Sequence, residues 1–186
     1  MIAAILVSFS YCNLTLISLI RRFGMKEIHW HSKYFSGLSL NELYDLLKLR
    51  IDIFVVEQTC FYPDLDSEEG CLDRHHETIH LLGYQENKLI AYARIMAKGQ
   101  SYLNNTAIGR VAVAQNARGN GLGHQLINKA LSVCSDKFPG VDIKISAQEH
   151  LSDYYKQHGF KVISDIYLED DIPHIAMKKT IDKTSA

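Results

Sequence analysis

Residues 108–125 read IGRVAVAQNARGNGLGHQ, and this stretch decides the fold. Its first seven residues, 108–114, are mostly apolar and include several β-branched side chains, which is typical of a strand. Glycine then occupies every second position at Gly119, Gly121 and Gly123, and helical spacing of apolar residues follows. The stretch therefore predicts a strand, a glycine loop and a helix in immediate succession.

The glycine loop is suited to hold a phosphate group. Its bare backbone allows several N–H groups to turn toward one anion, and the following helix presents the positive end of its dipole. Two common phosphate loops are excluded. A nucleotide-triphosphate loop has lysine and then serine or threonine after its last glycine, where this chain has His124 and Gln125. A dinucleotide fingerprint that starts at Gly119 requires glycine at position 124, where this chain has histidine.

Composition sets the class of protein. With 186 residues, 47% of them hydrophobic and 22% charged, the chain is long enough for one well-buried domain and short for two. The net charge of −1 gives no basic face, so no nucleic-acid partner is predicted. Four cysteines without metal-site or disulfide spacing favour a reducing compartment, which predicts a cytoplasmic protein.

The first 24 residues form an apolar leader that has two interpretations. Residues 1–20 carry no charge and are followed by Arg21 and Arg22, a pattern that resembles a marginal membrane anchor with the domain facing the cytoplasm. Alternatively, Met25 is the true start and the leader is an upstream extension of the reading frame, which we favour. A membrane partner is expected only if the leader is native. The domain is assigned to residues 25–180 and a polar tail to residues 181–186.

The remaining chain predicts the order β α β β β α β α β β. The first helix follows a capping box at Ser39 and Glu42, with Arg50 on a face away from the sheet. Its sheet-facing stripe comprises Leu40, Leu43, Tyr44, Leu47, Ile51 and Phe54. The helix after the glycine loop has an apolar face of Leu122, Leu126, Ile127, Ala130, Val133 and Cys134. This order indicates an α/β sandwich with a mixed, mostly antiparallel sheet.

Residues 59–77 lose all periodicity and are rich in acidic side chains. They do not have the spacing of a calcium loop. His76 and His80 would share a face only on a helix, and residues 78–84 read as a strand, so we predict no metal site here.

The glycine loop resembles the Arg/Gln-x-x-Gly-x-Gly/Ala loop of the GNAT superfamily of N-acetyltransferases, here at residues 118–123. Residues 154–160, YYKQHGF, are similar to the Phe/Leu-Tyr-x-x-x-Gly-Phe segment of the same superfamily. Three further motifs resemble its ElaA-like branch: RxxFVxEQ at residues 50–58, YPDxD at residues 62–66 and IPHI at residues 172–175.

The resemblance implies a single-domain GNAT-like α/β sandwich with a splayed central strand pair, and acetyl-CoA as the acetyl donor. The cofactor would lie between the splayed strands, with its diphosphate on the N–H groups of residues 119–124. The implied cofactor-binding residues are Val111, Ala112, Val113, Arg118, Gly119, Asn120, Gly121, Leu122, Gly123, His124 and Gln148. Of these, Gln148 stands where the superfamily often has asparagine.

The resemblance also implies the chemistry, in which a primary amine of a small molecule or peptide attacks the thioester directly. Tyr155 matches the general acid that protonates the departing thiolate, since a phenol keeps its proton at neutral pH. Glu57 is the choice for general base, and its alternative role is a structural partner of Arg50.

We expect the acids of residues 64–73 and 165–171 to surround an acceptor entrance, with Asp66 and His174 as substrate-binding residues. No metal is implied. A competing hypothesis is a non-catalytic CoA-binding regulatory module, with or without a membrane tether. The sequence does not set the oligomeric state.

Overall fold

The structure is a computed structural model, and it describes residues 27–65 and 71–181. The predicted leader at residues 1–24 and the acceptor-side candidate Asp66 lie outside these ranges, as do residues 182–186 of the polar tail. In the part of the chain that is described, no helix is both long enough and apolar enough to cross a membrane.

Seven strands form one sheet in the order β1-β2-β3-β4-β5-β7-β6. The bounds are β1 His29–Tyr34, α1 Leu40–Arg50, β2 Ile79–Gln85, β3 Lys88–Met96, β4 Thr106–Val113, α2 Leu122–Lys137, β5 Ile143–Gln148, α3 Ser152–Lys156, β6 Lys161–Glu169 and β7 Ile172–Lys179. Neighbouring strands are antiparallel, except that β4 and β5 are parallel. The predicted element order and the mixed, mostly antiparallel sheet are confirmed.

Strands β4 and β5 separate soon after they begin. They pair only where Thr106 meets Ile143 and where Ala107 meets Lys144, although both strands continue well beyond these residues. On its other side, β4 stays paired with β3 as far as Val113. The predicted splay of the central strand pair is therefore confirmed, and it opens a cleft along the second half of β4.

The strand side chains alternate between two cores, one on each face of the sheet. Leu81 and Ala93 pack with helix α2 on one face, whereas Leu82 and Tyr92 pack with helix α1 on the other. The buried residues of α2 are those predicted from helical spacing: Leu122, Leu126, Ile127, Ala130, Val133 and Cys134.

Local sequence explains where the two long helices begin. The hydroxyl of Ser39 accepts from the N–H of Glu42, whose carboxylate accepts from the N–H of Ser39, which confirms the predicted capping box. Helix α2 instead begins after Gly121, whose φ of 72° is left-handed and suits glycine. The glycine loop thus lies in the connection from β4 to α2.

Helix α1 buries a face that overlaps only in part with the one predicted: Leu43, Leu47 and Phe54 of the predicted stripe pack, partly buried, against the core. Its buried residues are Leu46, Leu49 and Arg50, while Leu40 and Tyr44 of the predicted stripe are 84% and 70% exposed. The helix carries leucine at so many positions that two overlapping apolar stripes fit the sequence, and periodicity does not choose between them. Arg50, predicted to lie on another face, points into the protein because its acidic partners lie there.

The helical path continues as a π-helical segment, Ile51–Glu57, with a hydrogen bond of 3.0 Å from the N–H of Gln58 to the carbonyl oxygen of Ile53. The wider π turn changes which side chains share a face, so Ile53 is buried whereas Ile51, predicted to face the sheet, is exposed. Such turns often mark functional sites. Here the segment carries the chain to Gln58, on the wall of the cleft.

Candidate active site

A cavity of about 320 Å³ lies in the cleft between β4 and β5. Its walls come from the two splayed strands, the end of the π-helical segment, helix α3 and the β6–β7 turn. Four of the residues predicted for the site lie on these walls, namely Val111, Gln148, Tyr155 and His174. The structure therefore brings one β4 residue, the general-acid candidate and one acceptor-side candidate to a single cavity.

Tyr155 is held firmly in this wall. It is 8% exposed, and its ring lies edge-on to the rings of Tyr154 and Phe160, with centroids 5.2 Å and 5.9 Å away. Burial, with a smaller contribution from Tyr154, raises the pKa of the Tyr155 phenol well above its usual value. The phenol therefore carries its proton at neutral pH, as a general acid must.

The glycine loop has the backbone that an anion cradle needs. Gly119 and Gly121 are left-handed, with φ of 88° and 72°. A Cβ built at either residue would meet no atom of the described chain within 4 Å, so the space beside the backbone is open. A Cβ at Gly123 would lie 3.0 Å from the hydroxyl of Tyr154, so this glycine allows close packing. The first-turn N–H groups of α2, which lack partners within the helix, complete a site that fits a diphosphate.

Histidines border the loop. Nδ1 of His124 lies 2.9 Å from Nε2 of His158, and Nδ1 of His158 lies 3.0 Å from the side-chain oxygen of Asn128. Burial, aided by the charges of His124 and Lys179, lowers the pKa of His158. Neutral His158 then donates from Nδ1 to Asn128 and accepts from His124, which leaves Nε2 of His124 for another partner.

Glu57 is joined to the predicted cofactor loop. Its carboxylate accepts two hydrogen bonds from Arg118, from Nη1 at 2.6 Å and Nη2 at 2.9 Å, and Nε of Arg118 donates to the carbonyl oxygen of Val113. The alternative role of Glu57, as a partner of Arg50, is wrong because Arg50 pairs with Asp64 and Asp73. The general-base role stays a prediction, and it requires the bond to Arg118 to open.

A buried ionic network that the sequence analysis did not predict includes Arg94, which lies on the cavity wall. Arg50 is fully buried, with Nε 2.8 Å from Asp64 and Nη1 2.9 Å from Asp73, and Arg94 also donates to Asp73. The expectation that these two acids line an entrance is wrong, since they are 6% and 7% exposed and turn inward. The sequence contained one sign of this network: Arg50 lies among leucines at the end of α1, and a buried arginine requires an acidic partner.

His80 belongs to the same network. It is fully buried, with Nδ1 2.8 Å from the hydroxyl of Tyr92 and Nε2 2.9 Å from the carbonyl oxygen of Asp73. Burial lowers its pKa, so it is neutral in the folded protein. Across residues 27–65 and 71–181, no group of three or more His, Cys, Asp or Glu side chains is arranged to hold a metal ion.

This burial predicts a loss of stability on acidification. Below the unfolded-state pKa of about 6.5, the unfolded chain binds a proton at His80 that the folded protein does not, so the free energy of unfolding falls by about 1.4 kcal/mol per pH unit. The lowered pKa of His158 acts in the same direction. Urea denaturation between pH 7 and pH 5 should show this decrease. In His80→Gln, the slope of the free energy of unfolding against pH should be smaller by up to about 1.4 kcal/mol per pH unit, which corresponds to one proton. An unchanged slope in His80→Gln would contradict the assignment.

Acidic and hydroxyl groups meet at the β6–β7 end of the cavity. The hydroxyl of Ser146 donates to Glu169 at 2.6 Å and lies 2.6 Å from the hydroxyl of Tyr167. His174 stacks on Tyr167 and donates from Nδ1 to the carbonyl oxygen of Ile172. His174 therefore both lines the cavity and satisfies a backbone carbonyl.

Comparison with known proteins agrees with this geometry. The family described as acetyltransferase (GNAT) domain matches residues 55–181. The chain is 40% identical over 154 residues to Protein ElaA of Escherichia coli K12, covering 83% of this chain and 97% of that protein. The crystal structure of E. coli ElaA superposes with a TM-score of 0.75 at 38% identity, over 82% of this chain and 99% of that one.

Two other solved structures extend the likeness. An acyl-CoA N-acyltransferase from Pseudomonas aeruginosa has a TM-score of 0.77 at 40% identity, covering 83% of this chain and all of that one. An aminoglycoside 6'-N-acetyltransferase complexed with coenzyme A has a TM-score of 0.61 at 16% identity, over 84% and 99% of the two chains, a likeness of fold alone. The predicted resemblance to the superfamily and to its ElaA-like branch is confirmed.

Proposed function

We propose a reaction for this chain on the premise that it belongs to the GNAT acetyltransferase family and is therefore an acyltransferase. In this proposal, it moves an acetyl group from acetyl-CoA to a primary amine by direct attack of the amine on the thioester. The observation that carries the proposal is the cleft between β4 and β5, which has a buried, protonated Tyr155 on its wall.

The splay supports binding of the donor along β4. Beyond Ala107 the backbone of β4 has no ladder partner on the β5 side among the described residues, so those of its N–H and C=O groups that do not pair with β3 face the cleft. The pantetheine arm would bond to the backbone of Val111, Ala112 and Val113. An N–H in this stretch would stabilise the charge that develops on the thioester oxygen. The diphosphate would lie on the glycine loop, against the residues from Arg118 to His124.

The chemistry requires that the acceptor nitrogen lose two protons and that the sulfur gain one. The ammonium of the acceptor first loses a proton, and the neutral amine attacks the carbonyl carbon. After the new C–N bond forms, the nitrogen loses its second proton, and as the C–S bond breaks, Tyr155 donates its proton to the departing sulfur. The resulting tyrosinate regains a proton from solvent, so each turnover releases one free CoA thiol, one acetylated amine and one proton.

Glu57 is the proposed general base, directly or through water. The variant Glu57→Gln distinguishes this catalytic role from a purely structural role of Glu57 as the partner of Arg118. Loss of a base should lower kcat about 100-fold at pH 7 and make the rate rise with pH up to the pKa of the free amine. A purely structural role should instead raise the KM for acetyl-CoA by a few fold and leave kcat unchanged. Steady-state kinetics between pH 6 and pH 10 distinguish the two, and the second pattern would contradict the base assignment.

The acceptor is proposed to bind at the β6–β7 end of the cavity. The carboxylates of Glu169 and Asp170 on the cavity wall support a positively charged amine there, with His174 beside them. Asp66 is also proposed to bind the acceptor, and Asp66→Asn should reduce acceptor turnover without changing the affinity for acetyl-CoA. We propose a small-molecule or peptide amine as partner, no nucleic acid, and action in the cytoplasm, with a membrane tether only if residues 1–24 are native.

The test is release of the CoA thiol from acetyl-CoA across a panel of amines, with mass spectrometry of the products. The proposal expects amine-dependent release by the wild type. Absence of release with every amine, despite saturable binding of acetyl-CoA, would contradict it and would support the non-catalytic CoA-binding module.

A further inference from the structure

Arg110 occupies a strained position on the cavity wall. It lies where the register between β3 and β4 shifts, and its φ of 51° is left-handed. A non-glycine residue in this conformation costs of the order of 1–3 kcal/mol, and strand bulges beside active sites often redirect a side chain. Arg110 lines the cavity together with Tyr62, whose ring lies against the guanidinium, and the side chain of Arg110 is 24% exposed.

The guanidinium is fixed in place from one side. Nε of Arg110 lies 2.9 Å from Oδ1 of Asp64, and Nη2 lies 3.4 Å from the carbonyl oxygen of Asp64. The ring of Tyr62 lies against the guanidinium, 5.4 Å from centroid to Cζ, and its hydroxyl donates to Asp64. Among the described residues, Nη1 of Arg110 makes no hydrogen bond. Within the described part of the chain, this oriented donor is therefore available to a ligand.

The charge of Arg110 is only partly balanced by its partner. Asp64 also accepts from Nε of Arg50, so one carboxylate is shared by two guanidinium groups. Burial raises the pKa of Tyr62 to about 12, so its phenol supplies no negative charge at neutral pH. A partly exposed arginine that shares its carboxylate attracts an anion from solution.

The donor does not account for this anion site. The proposed diphosphate lies on the glycine loop, beyond Val113 at the end of β4, and the proposed thioester lies near Val111. Arg110 precedes Val111, so it lies on the far side of the thioester from the phosphates. The pantetheine arm between them is uncharged. The anion that suits Arg110 therefore belongs to the acceptor.

We propose, building on the amine acetylation proposed above, that the acceptor carries a carboxylate as well as its amine and that Arg110 binds this carboxylate. The substrate class is then that of free amino acids and other small aminocarboxylates. Glu169 and Asp170, on the wall of the same cavity, provide the negative side that an ammonium group requires. One acceptor thus meets a positive and a negative group at once, which orients its amine relative to the thioester.

Matched acceptors test this proposal. Each free L-amino acid is compared with its carboxamide and with the amine that lacks the carboxyl group, using thiol release from acetyl-CoA. The wild type should prefer the carboxylate form at least about 10-fold in kcat/KM, because hydrogen bonds to charged groups are among the strong ones. Arg110→Gln should reduce this preference to within about twofold, mainly through KM. Arg110→Lys keeps the charge but loses the forked pair of guanidinium donors, so its preference for carboxylates should lie between those of the wild type and Arg110→Gln.

Arg74→Gln is the control, since Arg74 is an exposed arginine close to the network and outside the cavity wall. Circular dichroism shows whether each variant folds, and Arg110→Lys serves if Arg110→Gln does not. Equal use of carboxylates and carboxamides by the wild type, or an unchanged preference in a folded Arg110 variant, would overturn the inference while amine acetylation stands.

Calorimetry on the protein saturated with CoA gives an independent readout. Carboxylate forms should bind more tightly than carboxamides, and only with Arg110 present. If this holds while no amine is acetylated, carboxylate binding by Arg110 stands and the proposed reaction fails. Binding that is equal for the two forms, or absent for both, would overturn the carboxylate site.

Discussion

Gly121→Asp is expected to weaken acetyl-CoA binding about 100-fold while the protein stays folded. Gly121 precedes the first residue of α2, and a Cβ there would meet no described atom within 4 Å. Aspartate is a favourable residue at a helix N-terminus and tolerates the left-handed region better than most residues. Its carboxylate would, however, stand beside the proposed diphosphate. Two unit charges 4 Å apart repel by about 4 kcal/mol near a protein surface, and solvent and salt reduce this value.

Gly121→Asn is the matched control for this variant. Asparagine has nearly the same size and backbone preference and carries no charge, so it measures the cost of crowding alone. Calorimetric titration with acetyl-CoA should give a dissociation constant at least 10-fold weaker for aspartate than for asparagine, and the difference should shrink at high salt. Equal affinities for the two variants would mean that no anion lies against this loop.

Tyr155→Phe is expected to lower kcat about 100-fold and to leave the KM for acetyl-CoA within about twofold of the wild type. Proton transfer by a positioned side chain contributes about 10²–10⁴ to a rate, and phenylalanine removes the proton without removing the ring. The edge contacts with Tyr154 and Phe160 are therefore retained. Because burial raises the pKa of Tyr155, the wild-type rate should not fall on the alkaline side until above pH 10.

Tyr84→Phe is the control for loss of a tyrosine hydroxyl. Tyr84 lies on β2 outside the cavity wall, and its hydroxyl donates to Asp45. Its replacement should leave kcat unchanged. If Tyr155→Phe kept the wild-type kcat with its best acceptor, the sulfur would receive its proton from another group, and Tyr155 would be a packing residue.

Local patterns in the sequence predict the elements that form from neighbouring residues. The strand, loop and helix of residues 108–125 and the six buried residues of α2 are confirmed because strand alternation, glycine conformations and helical spacing depend on nearby residues. The splay of β4 and β5 follows from the family resemblance. The glycine loop could be predicted for the same reason as the helix that follows it: its proposed function depends on the backbone conformation of neighbouring residues.

Pairings between distant residues explain what the sequence did not predict. Arg50 and Asp73 are 23 residues apart and Glu57 and Arg118 are 61 apart, and no local pattern indicates which charges will meet. The burial of Arg50 at the end of α1 accompanies the first of these pairings. The strained backbone of Arg110 is likewise a product of the β3–β4 register, which only the assembled sheet defines.

Calorimetric titration of the purified protein with acetyl-CoA, ATP and NAD decides whether the amides of residues 119–124 hold the diphosphate of coenzyme A. We expect saturable binding of acetyl-CoA at one site per chain, and binding about 100-fold weaker in Gly121→Asp. The absence of saturable heat with acetyl-CoA, together with binding of ATP or NAD, would contradict the proposed site.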